Sequence, residues 1–349
     1  MIININININ KHFPILQSAF RQFSNTICKP CQSYQRNYSD INTFKMSKII
    51  TVFGATGNQG GSVVTHLLKD SQITQEFKIR GITRDTSKPA AQELAKKGVE
   101  VVTADLNSKE SIRTALKNSH TVFLVTNYWE TANAQVEITQ GKNVADVAKE
   151  LGVQHLIFSS LLSGTKTSNG RLSHIPHFDS KADIEQYIRD TGVPATFYMP
   201  GYFMSNLDMS IKPGQDGALT WYLPVGKDAK FPLIDIKNDT GKFVKAIIKK
   251  RDSVLGARIL GAQGYYTAPE IMDQLAEVTG KKTAFVQIDG KTYMGFLPEF
   301  MAEELLENHL FIEDPGYYGG EGLEKSHEIL EDKLVSWKDY AGDSDAYKA

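Results

Sequence analysis

Residues 49–61 read Ile-Ile-Thr-Val-Phe-Gly-Ala-Thr-Gly-Asn-Gln-Gly-Gly. The run 49–53 is apolar, partly β-branched and short enough for one buried strand. Gly54 ends it, and Gly57 and Gly60 follow at steps of three, giving G-x-x-G-x-x-G. Beyond them Val63, Val64, Leu67 and Leu68 recur at helical spacing over 62–69. The order is strand, glycine turn, helix. Glycines let the backbone pass close to a phosphate, and the N–H groups that open the helix hold it, aided by the helix dipole. In that setting the triplet points to a dinucleotide site; alone it would mark no more than a tight turn.

Strand and helix patterns go on alternating. Strands are expected at 77–83, 99–103, 121–126, 155–158 and 195–199, with helices at 88–97, 108–117 and 132–151 between them. Such alternation predicts right-handed crossovers and a parallel sheet covered on both faces. A ligand then belongs at the carboxyl ends of the strands, where the strand order reverses. The expected fold is α/β, a doubly wound parallel sheet (Rossmann fold) over 47–200, with 195–199 as its last strand. A smaller, mostly helical α+β part over 201–349 is expected to close the cleft.

The second strand leads into Arg84-Asp85, with Lys88 one turn on. An acidic residue here bonds the adenosine ribose, whereas an arginine accommodates a 2′-phosphate with its bidentate fork. Arg84 and Lys88 favour NADP; the competing assignment makes Asp85 the ribose ligand and Arg84 a surface charge. Asp105-Leu106 follows the third strand, where adenine would lie, although Asp105 also suits a helix cap. Thr126-Asn127-Tyr128-Trp129-Glu130 follows the fourth, where the aromatics suit either a cofactor wall or plain packing.

Composition narrows the classes. The 349 residues are 41% apolar and 23% charged, ordinary for a globular protein of one large domain or two. A net charge of −1 provides no basic field for nucleic acid. The chain has no apolar run of about 18 residues, so no membrane span is expected. Residues 1–45 differ: 2–10 alternate Ile and Asn, and up to Ser39 there are four basic residues and no acidic one. That leaves 35 of the 39 basic residues against all 40 acidic ones, a net of −5 for the rest. The segment reads as a disordered tail or a mitochondrial presequence over 1–38. The compartment is therefore cytoplasmic, with access to the nucleus, or mitochondrial. Cys28 and Cys31 form a lone C-x-x-C in this tail and read as incidental.

The segments GATGNQGGSV, ITRDTSKPAA, TNYWE, HFDSK and PGYF, in this order, resemble the NmrA-type branch of the atypical short-chain dehydrogenase/reductase group, and within it the NmrA-like redox sensor proteins. The resemblance runs from about Lys48 to near the C-terminus. It implies that Gly54, Ala55, Thr56, Gly57, Asn58, Gln59 and Gly60 bind the pyrophosphate and that Arg84 and Lys88 bind the 2′-phosphate. It implies further that Asp105, Leu106, Thr126, Asn127 and Tyr128 line the cofactor. Lys181 with Tyr202, Phe203, Met204 and Ser205 would complete the nicotinamide end. Met204-Ser205 stands where a Glu-Asn pair is commoner in that family.

Reductases of the wider superfamily use Y-x-x-x-K on one helix face. Here the frame is His177-Phe178-Asp179-Ser180-Lys181, with histidine in place of tyrosine. Histidine can carry a proton near neutral pH; the alternative is that His177 only caps or packs. Ser159 and Ser160 end the fifth strand, and 161–171 reads as a mobile loop over the site. Later, Thr267-Ala268-Pro269-Glu270 is a capping box, and 298–309 is a helix made acidic by Glu299, Glu303, Glu304 and Glu307. That face is either solvated or a docking surface for a basic partner. Residues 316–320 read as a loop, and no metal-ligand spacing is present. The resulting expectation is an NADP(H)-binding redox sensor acting through a protein partner, as monomer or homodimer. The alternative is an NADPH-dependent reductase of a small carbonyl or quinone using His177 and Lys181.

Overall fold

The computed structural model describes residues 47–214 and 216–348; the tail with Cys28 and Cys31 lies outside them. The chain first lays down β1 (Lys48–Val52), β2 (Phe77–Thr83), β3 (Glu100–Thr103), β4 (Ser119–Leu124), β5 (His155–Ser159) and β6 (Ala195–Pro200). It continues through β7 (Tyr202–Phe203), β8 (Lys212–Pro213), β9 (Leu219–Leu223) and β10 (Lys230–Ile234) to β11 (Arg258–Gly261), β12 (Gly264–Thr267) and β13 (Thr283–Gln287). Seven of these form one parallel sheet in the order β11-β6-β5-β4-β1-β2-β3. This is the doubly wound α/β fold, with its switch point between β1 and β4. The expectation that 195–199 ends the sheet is corrected. Four residues of β11 pair beside β6, with Ile259 opposite Tyr198, and a run that short carries little periodicity of its own.

Side chains alternate across the sheet and bury on both faces. Phe123 and Ile157 join Val63, Val64 and Leu67 of helix Asn58–Lys69 and Phe243, Val244 and Ile247 of helix Thr240–Lys249. Val122, Leu124, Leu156 and Phe158 face Val144, Val147 and Ala148 of helix Ala134–Glu150 and Ile184 and Ile188 of helix Pro176–Thr191. These two helices cross closely: a Cβ on Gly141 would lie 2.6 Å from the Ile184 side chain.

The rest of the chain forms two three-stranded sheets, β12-β10-β7 and β13-β9-β8, around Trp221, Phe231, Ile271, Phe311 and Trp337. The capping box starts helix Ala268–Thr279 as expected. The stretch expected as a loop at 316–320 buries Tyr317 and Tyr318, whose hydroxyls donate to the carbonyls of Pro200 (3.2 Å) and Met199 (2.9 Å) at the end of β6. None of the helices among the described residues is long and apolar enough to cross a membrane.

Candidate active site

The glycine turn leaves β1 and enters helix Asn58–Lys69 with Gly57 as N-cap and no side-chain cap on its first N–H groups. Gly54 has φ +63°, a conformation that disfavours any Cβ. A Cβ on Gly60 would lie 2.3 Å from the Gly54 carbonyl oxygen, so the turn packs this tightly only with glycine there. Thr56 and Asn58 are exposed, and Ala55 is buried under the turn. Gln59 reaches across the switch point, its Oε1 accepting from Ser159 Oγ at 2.8 Å. Ser160 faces the other way and donates to the buried Glu185 at 2.7 Å.

At the end of β2, Arg84 is exposed and paired with Glu130, and Lys88 stands exposed at the head of helix Pro89–Lys96. Asp85 folds back on Ser87, accepting from its N–H (2.9 Å) and Oγ (2.6 Å), and these bonds hold its carboxyl below the usual range. After β3, Asp105 accepts from the N–H and amide of Asn107 at 2.9 Å each, while Ser108 is the cap of the next helix. Leu106 is half-buried, and Asn127 is exposed after β4. Tyr202 and Met204 are buried, whereas Phe203 and Ser205 keep partial exposure. Met204 packs in the second core with Phe231 and Trp221.

Two buried carboxylates organise the centre of the site. Glu137 accepts from Lys181 Nζ (2.6 Å), Thr126 Oγ1 (2.7 Å) and Ser180 Oγ. Lys181 also donates to Thr126 Oγ1 (2.9 Å) and to the Thr126 carbonyl (3.3 Å). Glu304 accepts from the His177 backbone N–H (3.1 Å), from His177 Nδ1 and from the Tyr128 hydroxyl (3.2 Å). Burial, then the Glu304 charge, pushes the Tyr128 phenol well above its ordinary range, so it keeps its proton at neutral pH. The His177 ring packs against Trp129 (5.2 Å between centroids) and Phe178 (4.9 Å).

His177 therefore does not cap its helix, whose N-cap is Ile175. The acidic face of helix Glu299–Phe311 is corrected too. Only Glu299 and Glu303 are exposed; Glu304 is buried on His177, and Glu307 accepts from His174 at 2.7 Å, raising the His174 pKa by that bond. His174, Glu303 and Glu307 bring three ligand-type atoms within 4.8 Å of one another, a grouping that sequence spacing does not reveal. The segment 161–171, expected as a mobile loop, contains a short helix, Gly164–Thr167. It is tied to Asp179 by Ser163 Oγ (2.7 Å), the Thr165 N–H (3.2 Å) and Thr165 Oγ1 (2.5 Å).

Two residues at this site went unassigned in the sequence. Glu137 and Glu304 both sit on the inward stripes of their helices, Glu137 in line with Gly141, Val144 and Ala148, and Glu304 with Asn308 and Phe311. A carboxylate in a buried helical stripe was the available signal.

Comparison with known proteins agrees with this architecture. The chain is 34% identical to an NmrA-like family domain-containing oxidoreductase, ptmS, of Penicillium ochrochloron, over 68% of this chain and 75% of that one. An NmrA-like family domain-containing protein of Dictyostelium discoideum is 32% identical over 84% of this chain and 97% of its own length. Among solved structures, NmrA, a negative transcriptional regulator, superposes with a TM-score of 0.73 at 21% identity, over 85% of this chain and 95% of that one. Further crystals of NmrA hold NAD or NADP. The model of the NmrA-like family matches residues 46–342, and this protein belongs to that family.

Proposed function

We propose that this protein is an NADP(H)-dependent reductase of a small carbonyl or quinone compound, in which His177 delivers the proton. The observation that carries this is the hydrogen-bonded pair of His177 with the buried Glu304. The glycine turn fits a dinucleotide: its contacts leave room for no Cβ at Gly60, and the helix that follows opens with no side-chain cap. The names of the oxidoreductase relatives support the same class. A bound reduced nicotinamide supplies a hydride. The chain's own part is to hold the pyrophosphate on the turn, to seat the 2′-phosphate on Arg84 and Lys88, and to place a proton at the substrate oxygen. NADPH oxidation against a carbonyl and quinone panel, run beside nucleotide affinity, tests it; tight binding with no turnover across the panel would reject it.

The second reading is a nucleotide sensor, and the Arg84–Glu130 pair favours it. A 2′-phosphate must take Arg84 from Glu130, which belongs to the same turn as Tyr128 and Trp129. Binding would then free that turn and alter association with a partner.

The preference for NADP rests on Arg84 and on Asp85 being engaged by Ser87. Arg84→Ala is expected to weaken NADP(H) by roughly 10- to 100-fold, the worth of a charge-assisted phosphate contact, and to leave NAD(H) nearly unchanged. Calorimetric titration of both nucleotides checks this, and equal loss for both would remove the assignment. The compartment is proposed as cytoplasmic, with residues 1–38 as the competing mitochondrial signal. A C-terminal fluorescent fusion is expected to stay full-length and outside mitochondria; a shortened, mitochondrial fusion reverses that choice.

A further inference from the structure

We infer that Glu304 is the positioning residue of this site: it holds the His177 ring with hydrogen on Nδ1, leaving Nε2 as the atom that serves the substrate. The chemical consequence rests on the reductase proposal above; the structural content does not.

An ionised carboxylate only accepts hydrogen bonds. Every group against Glu304 must therefore bring a hydrogen, and three do: the His177 N–H and Nδ1 at Oε1, and the Tyr128 hydroxyl at Oε2. Two of those donors are independent of the ring, so the carboxylate stays in place however the ring behaves. Its side chain is 9% exposed, and that of His177 13%. Trp129 and Phe178 pack against the ring. With Nδ1 closed off by Glu304, Nε2 is the nitrogen left for substrate.

The pairing also separates charges. Lys181, one turn further along the same helix, is matched by Glu137 from a different helix. Each basic side chain has its own carboxylate, so the lysine does not draw Glu304 from the histidine. The histidine thus keeps a fixed carboxylate partner on its Nδ1 side, one that does not move with the transferred proton. When a hydride adds to a carbonyl carbon, the π pair shifts to oxygen. The Nε2–H bond of the imidazolium breaks as the O–H bond forms, and its electron pair stays on Nε2. The ring is left neutral with hydrogen on Nδ1, ready to take the next proton from water at Nε2.

The test uses nitrogen NMR on the full chain with labelled histidine, the His177 signals being assigned by their loss in His177→Gln. The neutral ring is expected to carry hydrogen on Nδ1 with Nε2 bare, and Glu304→Leu is expected to move the hydrogen to Nε2. Where Glu304→Leu does not fold, Glu304→Gln provides the kinetic readout, because it keeps the shape and one acceptor but removes the charge. Glu304→Gln is expected to lower kcat about 100-fold, the lower end of what a positioned acid contributes, with KM little changed. The double variant with His177→Ala should be no slower than His177→Ala alone, since Glu304 acts through the ring. A wild-type ring with hydrogen on Nε2, or full additivity in the double variant, overturns the inference. Hydrogen on Nδ1 in a protein with no turnover supports the inference and removes the reductase proposal.

Discussion

Replacing His177 with alanine is expected to slow single-turnover oxidation of bound NADPH by about 10²–10⁴-fold, the usual contribution of a positioned general acid. Nucleotide affinity should stay within a few-fold. The reason for the split is geometric. The ring bonds Glu304 and packs against Trp129 and Phe178, whereas the glycine turn and Arg84 lie at the ends of other strands and share no hydrogen bond with it. His177→Gln, which refills part of the space without carrying a proton, should be equally slow. The measurement is stopped-flow at saturating cofactor with a substrate from the panel. Unchanged turnover in both variants would show that the proton comes from elsewhere, with the Tyr128 hydroxyl as the next donor to examine.

The second large effect is on stability. Glu137→Ala is expected to destabilise the fold by about 3–5 kcal/mol, because breaking a buried ion pair strands the remaining charge. The Glu137 side chain is 1% exposed and that of Lys181 13%, so water offers little replacement. The loss also leaves Ser180 Oγ without its acceptor in a helix contact already made tight at Gly141. Removing both charges, as Glu137→Leu with Lys181→Met, should recover much of the loss, since an apolar pair of similar volume avoids the desolvation cost. Urea denaturation of the three proteins checks this. A Glu137→Ala penalty under about 1 kcal/mol would mean that the cluster is solvated and weak.

The main sheet was legible from the 49–61 pattern and the alternation after it, because a parallel strand buried on both faces is a continuous apolar run. β11 was not, since four residues carry no period and only the vacant edge of β6 gives them a place. Around the site, the glycine turn, Arg84 and the HFDSK frame could be singled out because each has local spacing. Glu304 could not be connected to His177 in that way. Its position on a helix rich in glutamate suggested solvent, and only the fold shows that this residue turns inward while Glu303 does not. Glu137 was hidden for the opposite reason: one of three acids spread along a long helix attracts no notice until its stripe is traced inward.

Glu304 reaches His177 from 127 residues further along the chain. The glycine turn, the Arg84 end of β2 and the Ser159–Gln59 contact are all complete by the end of β5. A protein made from its N-terminus thus has these proposed nucleotide-holding parts on hand before the carboxylate that steadies the histidine has been synthesised. Closing so long an intervening stretch costs more entropy than closing the turns of the sheet. On the reductase proposal, a chain ended before helix Glu299–Phe311 would carry the glycine turn and Arg84 but not the carboxylate that orients His177.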